Sequence, residues 1–141
     1  MPYGFNTDKS KFEIEGGMVL LWENPDPTAV FNAQTVTLED AYTNYDFIEI
    51  VYKFRNEAGT LRNTHAVSKL MADAGYSGYI AVDTITGQQT YIAMRQVTLV
   101  DTSEDNTVQF STGTILQGQN TTVSSSPNYC IPLAIIGYKV S

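Results

Sequence analysis

The chain is 141 residues long and carries 8 Lys+Arg against 15 Asp+Glu, a formal charge of −7. That length fits one domain with a short tail, large enough to hide roughly 68–70% of its unfolded surface. A pI near 4.4 without a basic cluster excludes the electrostatic footprint of a nucleic-acid binder. No apolar run reaches the ~18 residues of a membrane span, so no membrane insertion is expected. Charged residues, at 16%, fall short of the usual quarter, and uncharged Thr, Ser, Asn and Gln take their place. That balance suits strands better than helices, whose exposed faces are rich in Glu and Lys.

The amino terminus reads as an arm over residues 1–17. Asp8, Lys9, Lys11, Glu13 and Glu15 mix in sign, apolar residues are few, and Gly16-Gly17 punctuates the end. Such a segment buries too little to order itself and is ordered by a partner or not at all. Residues 18–141 form the domain proper. Met18–Glu23 is a short apolar strand stopped by Asn24-Pro25-Asp26-Pro27, because proline cannot donate to a sheet ladder. Residues 34–38 alternate polar and apolar. Phe47–Arg55 alternates most cleanly, with Ile48, Ile50, Tyr52 and Phe54 on one face.

A turn at 56–59 leads to a return strand over 60–67, and 68–75 reads as one helical turn or an irregular loop. Residues 77–82 and 89–100 are strands joined by a turn at 86–88. In the second, Ile92 and Met94 share one parity and Val97 and Leu99 the other, which predicts a β-bulge near Arg95-Gln96. After a polar turn and a strand at 107–111, residues 113–128 form an uncharged Gly/Ser/Thr/Asn/Gln loop. Tyr129–Val140 closes the chain as a strand apolar on both faces, hence central in its sheet or covered by another sheet or subunit. The sum is an all-β, jelly-roll-like antiparallel sandwich of about seven or eight strands with an extended N-terminal arm.

Catalytic materials are thin. His65 is the only histidine and Cys130 the only cysteine, so no intrachain disulfide or thiolate metal cage forms. No Gly-x-Ser-x-Gly elbow frames a serine. Fifteen carboxylates make some glycosidase-like pair almost inevitable, and Asp26, Asp46 and Glu49 read as turn and strand-face residues. Asp101, Glu104 and Asp105 bunch in one turn without EF-hand spacing. No cofactor is expected. Tyrosine is the unusual resource, at nine residues. Tyr76 and Tyr79 bracket Ser77-Gly78, and with the 113–128 loop they are the candidate recognition surface.

Three stretches carry a resemblance. Tyr3-Gly4-Phe5-Asn6-Thr7-Asp8-Lys9-Ser10-Lys11 opens the chain; Leu21-Trp22-Glu23-Asn24-Pro25-Asp26-Pro27 leads into Phe31-x-Ala33-Gln34-Thr35-Val36; Asn128-Tyr129-Cys130-Ile131-Pro132-Leu133, then Ile136-Gly137-Tyr138-Lys139, closes it. Together they resemble small bacteriophage virion proteins of the tail-fibre, receptor-binding and head-fibre type. The long spacer usual in that family is missing here, which implies a compact knob. The resemblance implies a virion structural protein, assembled in the host cytoplasm, that adsorbs to a host-surface glycan or protein and is not an enzyme. Its arm would attach to another virion protein of capsid or tail through Tyr3, Phe5, Asn6, Asp8, Lys9 and Lys11. A homo-oligomer, as in the trimers of related fibres, would form through Ile131, Leu133, Ile135 and Tyr138 of the last strand. A small glycan depolymerase and a purely capsid-stabilising decoration protein are the competing expectations.

Overall fold

A computed structural model describes residues 3–6, 11–14, 17–57, 60–73, 75–99, 105–118 and 122–140, the first two stretches as backbone alone. Its strands are β1 (Tyr3–Asn6), β2 (Lys11–Ile14), β3 (Met18–Glu23), β4 (Gln34–Thr37), β5 (Phe47–Arg55) and β6 (Arg62–Ser68). They continue with β7 (Tyr76–Thr86), β8 (Gln89–Leu99), β9 (Thr107–Phe110), β10 (Thr114–Gln117), β11 (Ser124–Ser125) and β12 (Tyr129–Tyr138). A 3₁₀ turn at Tyr42–Asn44 and the five-residue helix α1 (Lys69–Asp73) are the helical pieces.

Two antiparallel sheets form an all-β sandwich. One has the order β3-β12-β5-β6. In the other, β8 is the axis: β7 pairs along its whole length, while β9 and β10 share its second edge end to end, followed by β4 and β11. The first and last sandwich strands, β3 and β12, lie side by side, and the hairpins β5–β6 and β7–β8 each stay within one sheet. Ile48, Ile50, Tyr52 and Phe54 all point into the core, as the alternation of β5 requires. They meet Ile80, Val82, Ala93, Val97 and Leu99 from the opposite sheet. Each fully buried aliphatic side chain contributes about 1.5–3 kcal/mol.

The bulge lies elsewhere than the apolar pattern predicts. The register of β8 on β7 runs unbroken from Thr86↔Gln89 to Tyr76↔Leu99. The inward residues of β8 are Ala93, Arg95, Val97 and Leu99, while Ile92 and Met94 are only half-buried. The extra residue is on the partner: between the pairs Val97↔Phe110 and Met94↔Thr114, β8 advances three residues and the facing chain four. Reading Ile92 and Met94 as core placed the slip in the wrong strand, because the true inward residue there is a cation.

Arg95 is completely buried. Its Nε donates to the Cys130 carbonyl at 2.8 Å, Nη2 to the Tyr129 carbonyl at 2.9 Å, and Nη1 to the Ser111 carbonyl at 2.6 Å. The guanidinium also lies 5.1 Å from the Phe31 ring centroid. Burial lowers its pKa to about 10, so it remains a cation at neutral pH. Carbonyls of successive strand residues normally point to opposite sides. The positive φ of Cys130, 53°, turns its peptide so that two consecutive carbonyls converge on one fork. A Cβ on Gly113 would come within 2.2 Å of the Tyr129 carbonyl oxygen and 2.9 Å of Arg95 Nη2, so the bulge has room for glycine alone.

Several expectations change here. The 113–128 stretch contains β10 and β11 rather than only loop: Ile115 of β10 packs against the core, β10 pairs with β8, and the two-residue β11 forms the sheet's edge. The backbone of the arm folds back on itself, Tyr3 opposite Ile14 and Phe5 opposite Phe12, as a two-stranded sheet separate from the sandwich. In β12, Ile131 and Ile135 are fully buried inside a single chain, because the strand is central between β3 and β5. They are core residues of the single chain and leave no exposed surface on it. Leu133 and Tyr138 are half-buried; the Tyr138 ring stacks on Phe47 at 4.6 Å and its hydroxyl donates to Glu49 at 3.0 Å.

Arg95→Ala is expected to lower the unfolding free energy by about 3 kcal/mol or more, since it leaves three buried carbonyls unpaired, at about 1–3 kcal/mol each, and a cavity beside Phe31. Arg95→Lys should recover little of it, because an ammonium lacks the planar fork that spans three carbonyls. Urea midpoints of both variants within error of the parent would contradict this assignment. Gly137→Ala tests a second close approach: its Cβ would lie 2.7 Å from the buried Tyr45 ring, and overpacking of that kind costs about 1–3 kcal/mol.

Candidate functional site

With the odd positions of β8 pointing inward, Gln96 and Thr98 point outward. Register places like-facing neighbours beside them: Ser77 and Gln109 flank Thr98, Thr35 flanks Gln109, and Tyr79 flanks Gln96. One row, Ser77–Thr98–Gln109–Thr35, therefore crosses four strands, a width of roughly 14 Å at the usual interstrand spacing. Above it lies a groove of about 290 Å³ lined by Ala33, Gln34, Thr35, Gln96, Thr98, Gln109, Phe110 and Ser111. None of these side chains is charged.

Part of the lining is fixed in place. The Gln96 amide donates to Ser77 Oγ at 2.8 Å, and Ser77 Oγ shares a hydrogen bond with Thr98 Oγ1 at 3.3 Å. Ser111 Oγ accepts from the Gln96 backbone N–H at 2.9 Å. Gln34 Nε2 donates to the Asn32 carbonyl at 3.1 Å. The Gln109 amide makes no hydrogen bond among the described residues and is exposed. Tyr79 is 61% exposed. Amides and hydroxyls both donate and accept, so the groove can match a ligand whose polar groups do the same.

Of the two tyrosines singled out from sequence, the structure brings only Tyr79 to this face. The pleat sends Tyr76 the other way, where its hydroxyl shares a 2.7 Å hydrogen bond with His65 Nε2 and ties β7 to β6 of the opposite sheet. The groove residues escaped the sequence reading because each strand contributes only one or two of them. The outward polar positions of residues 34–37, 96–98 and 109–111 were the available signal.

The other candidate groups have structural partners. Burial pulls the His65 imidazole below its ordinary value. Cys130 Sγ lies 3.5 Å from the Ile80 carbonyl, and burial pushes the thiol up to about 12, leaving no thiolate at neutral pH. Asp26 accepts from Thr28 at 3.2 Å and Asp105 from Thr43 at 2.5 Å. Asp46 accepts from the Val140 backbone N–H, and Glu49 from Tyr138. Asp101 and Glu104 lie outside the described residues, as do Asp8 and Lys9 of the arm. Tyr3, Phe5 and Asn6 fall in β1 and Lys11 in β2. Among the described residues no three His, Cys, Asp or Glu gather into a metal site, and no helix is long and apolar enough to cross a membrane.

Compared with known proteins, the chain matches no protein-family model and no curated protein.

Two groups make the fold lose stability in acid. Burial would raise the Asp40 carboxyl, but hydrogen bonds from Tyr45, the Ala41 N–H and Asn44, with Lys139 nearby, outweigh it and hold the pKa below 3.8. His65 is likewise held below 6.5. Both folded-state values lie under the unfolded ones, so the unfolded chain takes up protons first and stability falls as pH drops. The loss should begin below about 6.5 through His65 and continue below about 3.8 through Asp40. Urea midpoints measured against pH should show the upper phase flattened in His65→Gln and the lower one flattened in Asp40→Asn.

Proposed function

We propose that this chain is a structural and adsorption protein of a bacteriophage virion, a fibre or decoration component of head or tail, with no catalytic role. The observation that carries this reading is the uncharged amide-and-hydroxyl face spread across four strands beside an exposed Tyr79. It is a broad contact surface mounted on a rigid sheet, and its lining contains no group able to act as general acid or base near neutral pH. The sandwich presents that face to a host-surface glycan or protein. Residues 1–17 attach the domain to another virion protein, and Tyr3, Phe5, Asn6, Asp8, Lys9 and Lys11 supply the contacts.

Copies associate, with a trimer the arrangement implied by the family resemblance. The surface suited to that is the outside of the four-stranded sheet, where Leu20, 42% exposed, pairs with Ile136, and Tyr138 pairs with Phe47 and Met18. Many weak contacts on one particle then add up to tight attachment.

Purified protein added to host cells should reduce adsorption of the phage in a dose-dependent way. Deletion of residues 1–15 should leave a cooperative thermal transition but abolish incorporation into particles. Sustained release of reducing ends from host polysaccharide would replace this reading with a depolymerase. Normal adsorption of virions lacking the protein, together with reduced heat resistance, would replace it with a stabilising decoration protein.

A further inference from the structure

We infer that the groove between β4, β9 and β8 recognises a neutral, hydroxyl-rich glycan, one or two sugar units without uronate, sialate or phosphate, with Tyr79 as the stacking platform at its edge. The inference deepens the adsorption reading and rests on it for its biological setting, but its chemistry stands on the groove alone.

Charge is the first argument. Anionic sugars are recognised by Arg or Lys forks and point charges, and the lining supplies neither. The chain's net charge of −7 adds a repulsive background for any anionic ligand. What the lining does supply is the amide of Gln109 and the amide of Gln34, with the hydroxyls of Thr35 and Thr98; the Ser111 hydroxyl, which donates to the Thr112 carbonyl, adds an acceptor. Sugar hydroxyls donate and accept at once, and these groups answer both halves of that chemistry without a desolvated charge.

Preorganisation is the second. Ser77, itself hydrogen-bonded to Thr98, holds the Gln96 amide, and the Ser111 hydroxyl is seated on the Gln96 backbone N–H. These groups are oriented before a ligand arrives, which lowers the entropy lost on binding. Gln109, beside them, has an amide with no partner among the described residues and the reach to meet a ligand.

Shape separates a glycan from a protein partner. Protein interfaces centre on a desolvated apolar and aromatic patch. Here six of the eight lining residues carry an amide or a hydroxyl, Ala33 and Phe110 are the apolar remainder, and the exposed ring, Tyr79, stands at the side. A volume of about 290 Å³ sits at the lower end of small-ligand pockets, which begin near 300 Å³. That matches a terminal sugar or disaccharide and is too little for an extended chain held along its length.

The test uses the full-length protein on an array of neutral hexose oligosaccharides alongside uronate-bearing and sialylated ones. Hits are then titrated by calorimetry between about 0.05 and 0.5 M salt, a range over which exposed ionic contacts weaken sharply. Binding confined to neutral glycans and flat with salt is expected. Gln109→Ala and Gln96→Ala should each weaken it by up to about tenfold. Tyr79→Ala should lose several-fold, whereas Tyr79→Phe, which keeps the ring, should bind like the parent. Unchanged urea midpoints would show that these surface variants still fold. Binding restricted to acidic glycans, or strongly salt-dependent, overturns the inference. Protein that blocks phage adsorption yet binds no neutral glycan also overturns it, while leaving the adsorption reading intact. Neutral-glycan binding without any block of adsorption does the reverse.

Discussion

A single buried guanidinium decides the geometry of this sandwich. Arg95 belongs to β8, yet its donors go to the carbonyls of Tyr129 and Cys130 at the start of β12 in the opposite sheet and to Ser111 at the bulge. An unpaired buried charge is costly. Among the described residues no carboxylate pairs with it; three carbonyl dipoles and the face of Phe31 compensate it. The surrounding irregularities follow from that arrangement. Cys130 takes a left-handed conformation to turn its carbonyl inward, and the extra residue at 111–113 opens space for the fork. Gly113 stays bare because backbone oxygens already fill the place of its side chain.

The same residue sets the outer face. Strand side chains alternate, so a one-residue slip exchanges the inside for the outside. Arg95 pointing inward forces Gln96 outward, and with it Thr98, Tyr79 and Gln109 through the ladder. Register on both edges of β8 is held by a group that cannot be moved to solvent without orphaning three carbonyls. The exposed amides thus occupy fixed positions on a sheet and owe their placement to chemistry on the other side of it. The register of this face is set without using the hydrogen-bonding groups that line it.

The two sequence stretches that mark the entry and the end of the β-domain turn out to be physical partners. Asn24 donates from its side chain to the Pro132 carbonyl at 2.8 Å and from its backbone to Leu133. Its Oδ1 also accepts from the Asp26 N–H, closing the Pro-rich turn. Phe31 donates its N–H to Pro127, and its ring caps Arg95 beside Trp22 and Phe110. These motif residues hold one end of the sandwich shut. They speak to how the domain folds, and of the groove residues only Ala33, Gln34 and Thr35 fall within these stretches, while Gln96, Thr98, Gln109, Phe110 and Ser111 lie outside them.

What could be read from the chain, and what could not, follows from the range of the forces involved. β3 and β5 were legible to the residue, because period-two alternation is local and the Pro-rich turn ends β3 sharply. Arg95 was not, since a pattern scored on apolar residues has no place for a cation that is buried by carbonyls about 16 to 35 positions away in sequence. Nor was the groove, whose members come from β4, β8 and β9 and meet only when register is known. The low charge fraction acquires a meaning at that point. Hydrogen bonds between neutral groups return little net free energy each, about 0.5–1.5 kcal/mol, so a charge-free face discriminates by geometry and binds weakly per copy. Weak, geometry-reading contacts are useful when repeated and rigidly held, and a repeated display is what a surface protein of a particle provides. Arg95 fixes the register of that face, and the repetition would have to come from the outer face of the four-stranded sheet, where Leu20, Ile136 and Tyr138 surround Glu49, so that association there would leave the groove open.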